Sequence, residues 1–133
     1  MSAAESSVVR EYVVPFSRLG IKDIAVVGGK NASLGEMIGA LAQAGVCVPG
    51  GFATTGDAYP EFLRQEPVDA RIAKALASLD VEDVPPLTST GKQIREWVLG
   101  TRFPPALEAA VLAALESMDR ERTDRRVPLA VAV

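Results

Sequence analysis

The chain contains no histidine. That removes the commonest general base, the commonest metal ligand and any phosphohistidine relay built from these residues themselves. A single cysteine, Cys47, excludes an internal disulfide, and its neighbours Val46 and Val48 are those of a buried small hydrophobe. Such cysteine usage fits a reducing compartment, so the chain is expected to be cytoplasmic. Aromatic residues make up only 5% and the net charge is −3, so neither the basic footprint nor the stacking surface of a nucleic-acid binder is present. No run approaches the ~18 continuous apolar residues of a membrane span, so no membrane partner is expected. The first seven residues, Met1-Ser2-Ala3-Ala4-Glu5-Ser6-Ser7, lack the basic start and apolar core of a signal peptide and read as a loose, disordered leader.

What is present points to a folded chain. Hydrophobic residues reach 48%, above the range of disordered sequences. A length of 133 residues suffices for one domain with a single core and is short for two. The organising stretch is Val26-Val27-Gly28-Gly29-Lys30-Asn31-Ala32-Ser33-Leu34-Gly35-Glu36-Met37. Two glycines and a lysine separate a short apolar run, Ile24 to Val27, from a segment whose apolar residues Leu34, Met37, Ile38 and Leu41 recur at helical spacing. Ser33 with Glu36 reads as a capping box, and Asn31 is a rival N-cap. A strand-to-helix junction of this kind suits anion binding. Glycines let the backbone approach a phosphate, first-turn N–H groups point outward, and lysine adds a full charge. Plain turn geometry explains the same glycines, and the spacing is not that of a Walker loop.

Along the chain, Val8 to Phe16 reads as a strand with Pro15 at its end. The helix through the motif is expected to run to about Ala44, with Gly45 as its C′ residue. Val46 to Thr55 is a second strand candidate, bent by Pro49-Gly50-Gly51 and regular over Gly51–Thr54. Tyr59, Phe62 and Leu63 share a helical face behind Asp57, with Pro60 in the first turn. Val68, Ile72, Leu76 and Leu79 mark a helix over 67–79, with Pro67 at its first position. Asp80 to Pro86 reads as an acidic linker, followed by a helix over about 89–99 carrying Ile94, Trp97 and Val98. Pro104-Pro105 opens the last helix, striped by Leu107, Val111, Leu115 and Met118. Asp119 to Arg126 is a charged, solvated loop. Val127 to Val133 is an apolar run that reads as a strand cut short, since such a strand expects cover on both faces. The expected fold class is α/β (α+β), mostly helical with about five helices and a few short strands.

These residues resemble the beginning of the phosphoenolpyruvate synthase (pyruvate, water dikinase) family. The resemblance is carried by Val27-Gly28-Gly29-Lys30-Asn31-Ala32-Ser33-Leu34-Gly35-Glu36-Met37, then Gly45-Val46, Val48-Pro49, Gly51-Phe52-Ala53-Thr54-Thr55, Ala58-Tyr59 and Phe62-Leu63, with Gln93-Ile94-Arg95-Glu96-Trp97 further on. Sister enzymes, pyruvate phosphate dikinase and rifampicin phosphotransferase, more often read Gly-Gly-Lys-Gly-Ala-Asn-Leu at this motif. The resemblance covers residues 8–133 and implies the N-terminal part of an ATP-grasp-like nucleotide-binding domain, truncated at its C-terminus. It implies that Lys30 contacts the ATP phosphates, with Gly28 and Gly29 forming the close-approach backbone. The family uses ATP and Mg2+, splitting ATP to AMP and phosphate while pyruvate becomes phosphoenolpyruvate. It also departs: the family continues the last strand into an Arg-Ser-Ser segment, where this chain reads Ala132-Val133. The resemblance therefore assigns no catalytic residue and no metal ligand to this chain. It implies an ATP-binding fragment inactive alone, whose remainder is a possible partner chain. The alternatives are a non-catalytic nucleotide-binding or interaction module, or a fragment of a sister enzyme.

Overall fold

A computed structural model describes residues 11–122, 124 and 126–133. The expected leader and residues 8–10 of the first strand lie outside the described residues. In chain order the elements are β1 (Val13–Pro15), two 3-10 turns (Phe16–Arg18 and Ile21–Asp23), α1 (Ile24–Gln43), β2 (Phe52–Thr54), α2 (Ala58–Leu63), α3 (Val68–Ala77), α4 (Val84–Gly100) and α5 (Pro105–Arg120). The described residues thus form a mostly helical α+β structure with one small sheet, as the sequence leads one to expect.

They divide into two units, residues 11–57 with 109–133, and Ala58–Glu108. In the first unit β1 and β2 pair antiparallel, with Val13 opposite Thr54, Val14 opposite Ala53 and Pro15 opposite Phe52. The ladder is carried on by two N–H donors, Phe16 to the Gly51 carbonyl and Thr55 to the Tyr12 carbonyl, both at 2.9 Å. Pro15 sits at the strand's last position, where its missing N–H costs no ladder bond. The chain then tightens into a 3-10 turn at Phe16, so the strand ends one residue sooner than expected. Val14, Leu19, Val27, Ala32 and Ala53 make the buried core of this unit, with Phe16 packed beside them.

Three hydrogen bonds lock the second turn under α1. The Asp23 carboxylate accepts from Gly20 N–H at 2.9 Å, and Asp23 N–H donates to the Gly20 carbonyl at 2.9 Å. The Glu36 carboxylate accepts from Ile21 N–H at 3.1 Å. The Ser33–Glu36 capping box is therefore absent: α1 already begins at Ile24, Ser33 is interior, and Glu36 serves Ile21 instead. The other end of α1 is as expected. Gly45 adopts φ 75°, its N–H donates to the Ala42 carbonyl and Val46 N–H to the Leu41 carbonyl. That pair of bonds is a Schellman closure, and its left-handed residue favours glycine.

Cys47 is exposed, against the expectation of burial. Residues 46–51 form an irregular connection rather than the start of a strand, so the alternation that would turn Cys47 inward is missing. Ellman's reagent is expected to titrate one thiol in the native protein at nearly the rate seen in denaturant; slow, unfolding-limited modification would contradict this placement. The Val127–Val133 run also differs from expectation. It forms no strand, and Val127, Val131 and Val133 are exposed. Apolar composition favours a strand only where a neighbouring edge accepts its hydrogen bonds, and no described strand pairs with it.

The second unit is helical. Asp57 directly precedes α2, and Pro60 falls in its first turn as predicted. In α4 the prolines expected in a linker, Pro85 and Pro86, lie in the first helical turn, where proline needs no donor. Gly100 is the last residue of α4, and Thr101 closes it through its hydroxyl to the Trp97 carbonyl at 2.7 Å. The Arg71 guanidinium of α3 lies 4.4 Å from the Trp97 ring centroid of α4. Phe62 and Phe103 meet as a tilted pair 5.6 Å apart. Among the described residues no single helix is long and apolar enough to cross a membrane.

Candidate functional site

The Gly28-Gly29-Lys30 motif lies within α1, not between a strand and a helix. Ile24 to Val27 is already helical. Four apolar residues cannot distinguish strand from helix by periodicity. Here the Ile21–Asp23 turn feeds straight into helical dihedrals, with Ile24 itself at φ −53° and ψ −41°. What survives of the expected junction is a break. Gly28 has φ 81° and ψ 161°, interrupting the helix so that a new run of turns begins after it. That region of backbone space belongs almost to glycine alone, and another residue held there costs on the order of 1–3 kcal/mol.

The break leaves backbone groups to be satisfied, and the structure supplies partners for two of them. A continuous helix would offer the Val26 carbonyl to Lys30 N–H; here it accepts from Gly56 N–H at 2.7 Å. The Val27 carbonyl accepts from Asn31 Nδ2 at 2.9 Å. Gly56 is itself held at the end of β2 by Thr55, which is buried. Thr55 donates its hydroxyl to the Glu11 carbonyl at 2.8 Å and its N–H to the Tyr12 carbonyl. The sheet end and the helix break are thus one hydrogen-bonded assembly.

The three residues singled out by the sequence stand together on the outer side of this break. Gly28, Gly29 and Lys30 are all exposed. A Cβ placed on Gly28 or Gly29 would meet nothing within 4 Å, so the bare backbone is open to close approach. Among the described residues no carboxylate or hydrogen-bond acceptor engages the Lys30 ammonium. An open depression of about 420 Å³ lies alongside, lined by Gly29, Lys30, Ser33, Leu34 and Met37. Leu34 and Met37 remain 39% and 44% exposed. A helix restart combines outward N–H groups with a positive dipole end, and an exposed ammonium beside it makes the spot attractive to an anion. Leu34 and Met37 give the same depression an apolar side. Among the described residues no group of three or more His, Cys, Asp or Glu is placed to hold a metal ion.

Two contributors escaped the sequence reading. Asn31 enters it as an N-cap rival and serves instead as a bridge across the break. Gly56 has no sequence signal at all, because its role depends on β2 delivering it to α1. The spacing of Asn31 four residues after Val27 is the one hint available, since a short polar side chain reaches the carbonyl four residues back in a helix.

Comparison with known proteins shows the family. The family model described as pyruvate phosphate dikinase, AMP/ATP-binding domain, matches residues 24–133. The chain is similar to the phosphoenolpyruvate synthase of Pseudomonas aeruginosa, with 54% identity over 108 residues, 81% of this chain and 14% of the relative. The Neisseria meningitidis phosphoenolpyruvate synthase is 50% identical over 120 residues, 90% of this chain and 15% of the relative. That of Escherichia coli is 47% identical over 109 residues, 82% of this chain and 14% of the relative. The chain therefore spans only about one seventh of the length of these relatives, and matches their N-terminal part.

Proposed function

The chain belongs to the pyruvate phosphate dikinase AMP/ATP-binding family, and from that premise we propose that Gly28, Gly29 and Lys30 receive the phosphates of ATP. The coarser statement rests on the family: this is the N-terminal AMP/ATP-binding region of a phosphoenolpyruvate synthase-type protein. The finer one rests on a single observation, the exposed Lys30 ammonium, without a partner among the described residues, beside an unhindered Gly28–Gly29 backbone at a helix break. In this reading the glycines let amide groups come within hydrogen-bonding distance of phosphate oxygens, and Lys30 neutralises their charge. The region is the first part of an ATP-grasp-like domain. Mg2+ would be held by carboxylates from outside the described residues, where it would offset the charge of the phosphates. The reaction served is the one the sequence resemblance implies, the formation of phosphoenolpyruvate from pyruvate at the expense of ATP. The groups that perform it come from the remainder of such an enzyme, in the same or a separate chain, since positioning ATP, metal and acceptor together needs more than one lysine and two glycines.

Titration of the 15N-labelled chain with MgATP tests this reading. Amide shifts are expected to centre on residues 28–33, with no AMP formed on addition of pyruvate. Shifts confined to other residues, or pyruvate-dependent AMP release by the chain alone, would overturn it.

A further inference from the structure

We infer that Asn31 is a positioning residue for the bound nucleotide, holding the Gly28 break in the shape that presents Gly29 and Lys30. The inference rests on the assignment of ATP phosphates to this motif and goes beyond it, because Asn31 belongs to no part of that contact set. Glycine adopts helical and non-helical backbone with similar ease, so Gly28 permits the break without enforcing it. Something else must select the broken form. Two hydrogen bonds do so, and they differ in kind. Gly56 N–H on the Val26 carbonyl, at 2.7 Å, comes from a segment anchored by buried Thr55. Asn31 Nδ2 on the Val27 carbonyl, at 2.9 Å, comes from the residue next to Lys30 itself. Asparagine inside a helix disfavours regular continuation because its side chain competes for backbone groups. At position 31 that tendency works toward the break. With its amide donated to Val27, Asn31 acts through the backbone and not on phosphate. The benefit is preorganisation: a break already held in shape need not be ordered when the nucleotide arrives.

The test titrates MgATP against the full chain as wild type, Asn31→Ala, Asn31→Ser, Lys30→Ala and the Asn31→Ala/Lys30→Ala double variant, with thermal unfolding measured on each. Asn31→Ala is expected to weaken MgATP binding about three- to tenfold, the range for one lost hydrogen bond. Its melting temperature should change little, because alanine's helix propensity offsets the lost contact. Asn31→Ser, whose hydroxyl reaches the same carbonyl, should stay within about twofold of wild type. In the Lys30→Ala background Asn31→Ala should cause a clearly smaller loss, since only the Gly29 backbone is then left to be positioned. If Lys30→Ala weakens binding and Asn31→Ala does not, the positioning role is overturned and the phosphate assignment stands. Equal losses from Asn31→Ala with and without Lys30 would also overturn it, since they indicate an independent contact. If Lys30→Ala binds MgATP as wild type does, the phosphate assignment fails, and the role of Asn31 with it.

Discussion

In a chimera that places this chain over the matching N-terminal stretch of the Pseudomonas aeruginosa phosphoenolpyruvate synthase, Lys30→Ala is expected to lower AMP formation from ATP and pyruvate by about tenfold to hundredfold. A charge-assisted hydrogen bond to phosphate is worth on the order of 1.5–3 kcal/mol, and its loss translates directly into that range. The graft is justified by 54% identity over 108 residues. Lys22→Ala is the natural control. Lys22 is also an exposed lysine, in the turn just before α1 and six positions ahead of Gly28. Its removal should leave the chimera within about twofold of the parent, because an exposed charge without a close partner contributes little. Lys30→Arg should recover only part of the loss, since a planar fork replaces a compact ammonium against the same backbone. Equal effects at positions 22 and 30 would show that only the net charge of the region matters.

The parts of this molecule legible in the sequence are those decided within a few residues. The closure of α1 at Gly45 could be read from a glycine following a periodic segment. Pro60 could be placed in a first turn because a helix interior excludes it. Chemistry at Gly28-Gly29-Lys30 could be anticipated from residue type alone. The setting of that motif could not. Ile24 to Val27 looks like the end of a strand, yet it forms a helical turn whose Val26 carbonyl is met by Gly56, thirty positions on. A bond of that span leaves no trace in local periodicity. Cys47 misleads for a related reason: valines on both sides suggest burial, but burial needs a strand, and Pro49-Gly50-Gly51 delay β2 to Phe52. Glu36 shows a third limit. Its spacing from Ser33 fits a capping box, and only the fold reveals that its carboxylate is engaged by Ile21 N–H.

Gly35→Ala is expected to destabilise the protein, although alanine is the better helix former. A Cβ at position 35 would lie 2.6 Å from the Leu19 Cβ and 2.6 Å from the Leu19 carbonyl oxygen, far inside contact distance. Leu19 cannot readily retreat. Its N–H is bonded to the Phe16 carbonyl at 3.1 Å, and the next residue, Gly20, is tied to Asp23 in both directions. Relief would have to come from α1 lifting off the two 3-10 turns, which would open the core around Val27 and Ala32. Overpacking of this kind costs about 1–3 kcal/mol and sometimes more, against a gain near 1 kcal/mol from alanine's helix propensity. With backbone rather than a flexible side-chain tip as the obstacle, the loss lies at the upper end and outweighs the propensity. The melting temperature should fall by about 7 °C for a net loss near 2 kcal/mol. Gly39→Ala, on the same helix, provides the opposing case. A Cβ there would meet nothing within 4 Å, so only propensity acts, and the variant should be more stable by roughly 0.5–1 kcal/mol. Opposite signs from two glycine-to-alanine changes four residues apart would trace the effect to the Leu19 contact. A Gly35→Ala protein that melts at or above the wild-type temperature would show instead that α1 does not rest on the Leu19 backbone.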